Sequence, residues 1–518
     1  MAQGSLLDRL LGPCPPPFAL LYRPVSGSRD HIDVLLVGDI TTVASPSGIP
    51  LPAPSVAADG GEGTVRHDVL VLAPPGQDGA GLLALTVTGR AVLPLLALGA
   101  RGALPELDVF RRLAENGRGA YWTYLIHTGD RTLVGTGVAP HLTLRAGAAV
   151  LHRLGGTYRA TGEDPPGRAG MLGPLADRAD RADTDRARLA LDEGLMALAR
   201  LCLDGVRVRG PWLRETATAA RTEYAVEGRC HRDPRELLDA ALPAPGFAAL
   251  IGRDRHGAAA IDSTVLTPGA ESTARTGGLA AHPRVRAELE ARNSALAGFW
   301  FGDRDGLPHR GLAGRRALVI DAGDRFTPML VHQFTALGLD PSVRRLDEPH
   351  RTTGYDLLVL AGGHGDPRLT SRPGIARLRD TAGHRLAERR PLFAVGLGHQ
   401  VTAGLLGLGL FRRDTPRRGL QRTIELDGRR EQVGFHDTFA VRGGSDRFVV
   451  PELDRPVEAD RDPLTGEVYA LRGTFFASVQ FRPESVLTRH GVRIMGSLIQ
   501  DLLRGSGPAA GPGAPRSA

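Results

Sequence analysis

Residues 391–406, PLFAVGLGHQVTAGLL, carry the pattern in this chain best suited to covalent chemistry. Leu392 to Val395 read as a short buried strand, a glycine-rich turn follows, and a helix is predicted from near His399. Enzymes present nucleophiles at such sharp strand-to-helix turns, because the helix N-terminus favours developing negative charge. The residue at the turn is Gly396, which has no side chain to be acylated. No thiol later in the chain can replace it: the cysteines are Cys14, Cys202 and Cys230, all upstream. His364 and His399 could act as bases, but neither supplies a nucleophile. Arg482 and Glu484 have opposite charges two residues apart, and a structural ion pair is predicted there.

The 518 residues are enough for two or more domains with sizeable cores. Three scattered cysteines suit neither a disulfide framework nor a zinc site, so a reducing cytoplasm is the expected setting. The first residues lack a charged-then-apolar leader pattern. The most apolar run, Leu82 to Leu98, contains Arg90 and Pro94, so no membrane span is expected. The net charge of +7 comes from 64 basic residues, all of them arginine. With abundant Gly, Ala and Pro this fits the codon bias of a GC-rich genome. The arginines are scattered and form no stripe, so no nucleic-acid partner is expected.

Val34–Val37, Leu83–Val87 and Ala120–Ile126 read as strands, while Thr184–Leu203 and Arg284–Leu296 have helical spacing. From Arg316 the pattern alternates strand and helix: Ala317–Ile320, a helix from Thr327, Asp356–Leu360, and a helix from Gly374. That alternation predicts a parallel α/β sheet. The expected organisation is a first α+β domain over 1–300, a linker over 301–313, an α/β domain over 314–504, and a Gly/Pro/Ala-rich disordered tail over 505–518.

Several motifs carry a resemblance. Val319–Ala322 with Asp324 and Phe326–Thr327, Ala361–Pro367, Ala394–Gln400, Val433–Phe435 and Ser478–Thr488 follow in the order found in class I glutamine amidotransferase domains. Phe110–Leu113 through Tyr121–Thr123, Gly155–Arg159, Asp192–Glu193, Thr222–Tyr224, Glu227–Arg229, Ala249–Asp254 and Asp262–Ser263 resemble the chorismate-binding domain of fused synthases. The whole is similar to the fused anthranilate or 2-amino-2-deoxyisochorismate (ADIC) synthases of phenazine-type pathways. The implied fold is a shortened anthranilate synthase component I-like α+β domain, then a flavodoxin-like amidotransferase domain.

In that family a cysteine attacks the glutamine amide, a histidine is its base, and a glutamate orients the histidine. The matching positions are Gly396, Arg482 and Glu484, and the oxyanion-loop positions include Gly362 and Gly363. Arginine cannot serve as a base near neutral pH, so the resemblance implies lost glutaminase activity. The family's magnesium ligands fall at Asp183, Arg186, Ala287 and Glu290, an arginine and an alanine replacing two carboxylates. Asp183 and Glu290 then read as parts of solvated helix faces. Chorismate-site positions fall at Thr157, Arg221, Pro268 and Ser294, of which Thr157 reads as part of a plain turn. Two pocket-lining segments, one between Val87 and Phe110 and one between Arg229 and Leu250, are shortened.

Three functions stay open on this reading. One is a pseudoenzyme without cofactor, acting as a homodimer or as the heterodimeric partner of an active paralogue. Another is an ammonia-dependent, magnesium-requiring synthase, and the third is a small-molecule binding module.

Overall fold

A computed structural model describes residues 18–22, 33–37, 39–43, 65–73, 82–89, 122–127, 132–159, 181–215, 219–231, 237, 247–253, 259–267, 283–303 and 311–504. The chain divides into two compact units. One comprises Met1–Ala187 and Leu201–Leu289; the other comprises Arg188–Arg200 and Glu290–Ala518.

In the first unit, twelve described strands form one antiparallel sheet. They are β1 (Phe18–Tyr22), β2 (Asp33–Val37), β3 (Asp39–Val43), β4 (Val65–Ala73), β5 (Leu82–Gly89), β6 (Trp122–His127), β7 (Thr132–Arg145), β8 (Ala148–Arg159), β9 (Val206–Glu215), β10 (Ala219–Arg229), β11 (Phe247–Arg253) and β12 (Ala259–Thr267). The main path runs β2-β1-β11-β12-β7-β6-β4-β5-β3, with β8, β10 and β9 branching from β7. The strands expected around Val34, Leu83 and Trp122 are β2, β5 and β6.

The turn expected at Gly155–Thr157 is corrected. These residues lie inside β8, where the register passes from Leu154↔Glu223 to Thr157↔Arg221. Gly155 and Gly156 thus oppose the single residue Thr222, a β-bulge in mid-strand. Glycines suit a bulge, which explains why the sequence resembles a turn.

Helix α1 (Arg181–Ala199) begins in the first unit, but its residues from Arg188 onward belong to the second. Helix α2 (Pro283–Asn293) and a 3-10 turn (Gly298–Phe301) precede the described part of the second unit's sheet.

That sheet has the order β14-β13-β15-β16-β22-β21-β18-β17. Its parallel part comprises β13 (Arg316–Ala322), β14 (Asp340–Arg345), β15 (Leu357–Gly363), β16 (Leu392–Val395) and β22 (Phe476–Val479). The interior strands β13, β15 and β16 are apolar along most of their length, because parallel strands are covered on both faces. The cover includes α3 (Thr327–Ala336), α4 (Pro373–Ala387), α5 (Leu397–Leu405) and α6 (Gly491–Arg504). Helix α5 starts at Leu397, two residues before the expected start, because the backbone turns entirely at Gly396. Antiparallel strands β17 (Gly409–Leu426), β18 (Arg429–Arg442), β19 (Arg447–Phe448), β20 (Val457–Arg461) and β21 (Glu467–Arg472) complete the sheet on the β22 side. The expected tail over 505–518 and residues 304–310 of the expected linker lie outside the described residues.

Candidate functional site: the amidotransferase elbow

The carboxyl ends of β13, β15, β16 and β22 point the same way, and loops leaving such an edge are where open α/β sheets build sites. Each loop supplies one piece: Asp324 after β13, Gly362 and Gly363 at the end of β15, Gly396 after β16, and Arg482 with Glu484 after β22.

Gly396 has φ 55° and ψ −110°. Its N–H donates to the Val479 carbonyl at 2.9 Å, and its own carbonyl accepts the Gln400 N–H at 3.0 Å. The strained turn is therefore retained although its side chain is gone. A Cβ placed on Gly396 would lie 3.3 Å from Cζ of Arg482. A Cβ on Gly362 would collide with Nη1 of Arg482 and Oδ2 of Asp324. The Arg482 guanidinium thus fills the space separating the elbow from the end of β15.

It is held there firmly. Arg482 Nη1 donates to Asp324 Oδ2 and, at 3.4 Å, to Glu484 Oε1. The Arg482 backbone N–H donates to the Gly434 carbonyl at 2.8 Å, and Cζ lies 5.0 Å from the centre of the Phe326 ring. Asp324 is positioned by its neighbour Asp321. Oδ1 of Asp321 accepts the N–H groups of Gly323 and Asp324 at 3.0 and 2.8 Å, and the Thr327 hydroxyl at 2.9 Å. Asp324, Arg482 and Glu484 are all buried.

Burial disfavours the Arg482 cation, yet the charges of Asp324 and Glu484 outweigh it and raise its pKa. Burial also pushes the Glu484 carboxyl up to about 8, Arg482 opposing and the Asp324 charge adding to the rise. Glu484 Oε2 and Arg482 Nε have no hydrogen-bond partner among the described residues.

The expected Arg482–Glu484 pair is present but is the weaker of two contacts; Asp324 is the principal partner. The signal for Asp324 was its place just beyond a strand of the parallel sheet, three residues after Asp321. His399 is fully buried beneath the turn, its Nδ1 2.9 Å from Ser478 Oγ, and burial pushes its pKa down to about 3. It is a neutral packing residue at physiological pH. His364 is exposed. Gly396, at the turn itself, carries no side chain that could attack a carbonyl carbon.

A second cluster, missed from sequence, braces the same loop. Asp192 on α1 is fully buried and accepts from the Ser485 hydroxyl at 2.5 Å and the Val486 N–H at 2.8 Å. His436 Nε2 lies 3.2 Å from Asp192 Oδ2, and its ring packs 4.8 Å from that of Phe326. Trp300 Nε1 donates to the Glu484 carbonyl at 3.0 Å.

The remaining candidates lie elsewhere. Asp183 and Arg186 are on α1; Ala287 and Glu290 are exposed on α2. Thr157 and Arg221 are cross-strand partners on β8 and β10. Ser294 follows α2, its hydroxyl donating to the Ala291 carbonyl at 2.6 Å. Pro268 lies outside the described residues. Cys202 and Cys230 are free and buried.

A family profile for class-I glutamine amidotransferases matches residues 318–500. A phenazine-specific anthranilate synthase of Pseudomonas fluorescens is 34% identical over 632 aligned positions, covering 97% of each chain. The chain belongs to the phenazine-specific anthranilate synthase family. The namesake from Pseudomonas chlororaphis is 33% identical over 96% of this chain and 97% of its own. The pyocyanine-specific anthranilate synthase component 2 of Pseudomonas aeruginosa is 33% identical over 192 positions, covering 35% of this chain and 90% of its own.

Within the phenazine-specific anthranilate synthase alignment, 97% of this chain is only about 502 residues, so about 130 of the 632 positions face gaps in it. The component 2 alignment spans 192 positions against about 181 residues here, so little of that shortfall falls in the amidotransferase domain. The chorismate-binding-like domain is the shortened one.

Proposed function

We propose that this chain is a non-catalytic member of its family: it neither hydrolyses glutamine nor aminates chorismate, and serves as a structural partner, in a homodimer or in a heterodimer with an active synthase paralogue. The observation that carries the reading is the Arg482 guanidinium, ion-paired to Asp324 against a side-chain-less Gly396. A guanidinium that stays charged cannot take a proton from an attacking group, and no attacking group stands beside it.

The magnesium positions support the same reading. Arg186 brings a positive charge and Ala287 no donor where a hard cation needs oxygen ligands, and Glu290 is exposed. These residues do not fit a magnesium site.

The test uses the full chain with glutamine, and separately with chorismate, magnesium and ammonium salts. The expected result is no glutamate above a protein-free control, and no anthranilate or ADIC by chromatography. Product formed in proportion to protein concentration refutes the proposal; product from ammonium alone would select the ammonia-dependent synthase. For the partner role, light scattering of the chain mixed with a purified active synthase from the same genome should give a mass above that of either alone. Two unshifted peaks would remove the heterodimer.

A further inference from the structure

Away from the elbow, the β17–β18 hairpin carries an open cleft of about 770 Å³, within the range of small-molecule sites. Its walls include Phe411, Arg412, Arg413, Arg417, Arg418 and Arg442. The ladder creates it: Arg412 pairs with Phe439 and Arg417 with Asp437, so residues 413–416 stand against the single residue Thr438. Pro416 has no N–H to give the ladder, which favours that bulge.

The arginines fall into two sets. Arg413 Nε bonds Asp437 Oδ1 at 2.7 Å, its Nη2 also reaches Glu467, and Arg417 forks onto Glu467 at 2.7 and 2.9 Å. Those two cations are neutralised and fixed. Arg412, Arg418 and Arg442 are exposed and form no ion pair among the described residues. Arg442 Cζ rests 4.5 Å from the Phe411 ring centre, and Arg413 Cζ lies 5.6 Å from the same ring. Asp414 is the only carboxylate among the lining residues, so three uncompensated cations share the cleft with one anion.

We propose that this cleft binds a small, multiply charged oxyanion, a polycarboxylate or a phosphate. Planar guanidinium forks match carboxylate and phosphate oxygens in pairs, and charge gathered in a cleft exceeds what the same arginines would produce scattered over the surface. The lining residues include none of Asp324, Gly396, Arg482 and Glu484, so this assignment stands whether or not the chain has catalytic activity.

Isothermal titration calorimetry on the full chain at constant ionic strength provides the test, with citrate and inorganic phosphate as separate probes. At least one should bind saturably, whereas acetate and chloride should not; which of the two binds identifies the source. The R418Q/R442Q double variant should bind at least tenfold more weakly with an unchanged ligand-free melting temperature. Asp414→Asn, which removes the opposing charge, should tighten binding about threefold and supplies the readout if the double variant folds poorly. Absence of saturable binding by both probes, or equal affinity in all three proteins, overturns the proposal. Binding of a short single-stranded oligonucleotide that neither probe displaces would assign the cleft to nucleic acid and overturn it as well.

Discussion

Installing a cysteine at the vacant elbow, Gly396→Cys, separates strain from chemistry. The φ of 55° and ψ of −110° at this residue lie where a Cβ is disfavoured, which costs on the order of 1–3 kcal/mol. The new Cβ would also stand 3.3 Å from Arg482 Cζ, a separation that needs a shift of a few tenths of an ångström in a buried, ion-paired group. Nothing offsets the cost unless the thiol ionises against the guanidinium. Gly396→Ala carries the strain without that possibility. For a unit of this size, each kcal/mol lowers the melting temperature by about 2–4 °C. The alanine variant of the full chain should therefore melt roughly 4–8 °C below the parent for a cost near 2 kcal/mol. The cysteine variant should melt between the two and react with iodoacetamide at neutral pH, because a neighbouring cation favours the thiolate. It should still release no glutamate, as Arg482 occupies the position of the base; Gly396→Cys with Arg482→His is the minimum change that could. Unchanged melting in both variants would mean that the strained turn carries no energetic penalty, and glutamate release by the single variant would reveal a base other than residue 482.

Removing one member of the buried cluster should be costly and removing two much less so. Arg482→Leu strands Asp324 and should lose about 3–5 kcal/mol by urea unfolding, while Arg482→Leu with Asp324→Asn should recover most of it. Stability should depend on pH through Glu484. Its carboxyl is pushed up to about 8 in the fold from an ordinary 4.5, so the contribution is full below 4.5 and is lost as pH rises through about 8. Glu484→Gln should flatten that fall in urea titrations between pH 5 and 9, and an unchanged slope would assign it to other groups. Asp192→Ala leaves the Ser485 hydroxyl and the Val486 N–H without their acceptor and should cost about 1–3 kcal/mol. A loss under 0.5 kcal/mol would show that water replaces the carboxylate.

The second unit was legible because its signals are local. Four apolar residues end at Gly396, and the observed strand is Leu392–Val395, bounded as the pattern predicts. Missing cysteine chemistry was equally plain, since the absence of a thiol after Cys230 needs no geometry. The partner of Arg482 was harder to see: Asp324 lies 158 residues away, and only the parallel stacking of β13, β15, β16 and β22 brings their loops to one edge. Glu484 was nearer in sequence and so more visible, yet it is the weaker contact. Asp192 read as part of the first domain because it sits in its sequence; where a helix docks is decided by burial, which periodicity does not report. Gly155–Thr157 misled for the opposite reason, since adjacent glycines serve turns and bulges alike.

Helix α1 carries a consequence for how this protein could be divided. The amidotransferase unit is discontinuous in sequence: Arg188–Arg200 lies more than a hundred residues upstream of Arg316, where β13 begins. A gene cut at the natural-looking connector near residue 310 would deliver the sheet and its four helices without Asp192 or Trp300. The 485–486 backbone would then lack its acceptor, and the Glu484 carbonyl its indole donor. Fusion in this chain is thus more than two genes read as one, because the smaller module has part of its interior encoded inside the larger. A viable split would have to donate that helical segment back as a separate peptide, or graft it ahead of residue 290 by circular rearrangement. The connector is a junction in the sequence but not in the folded unit.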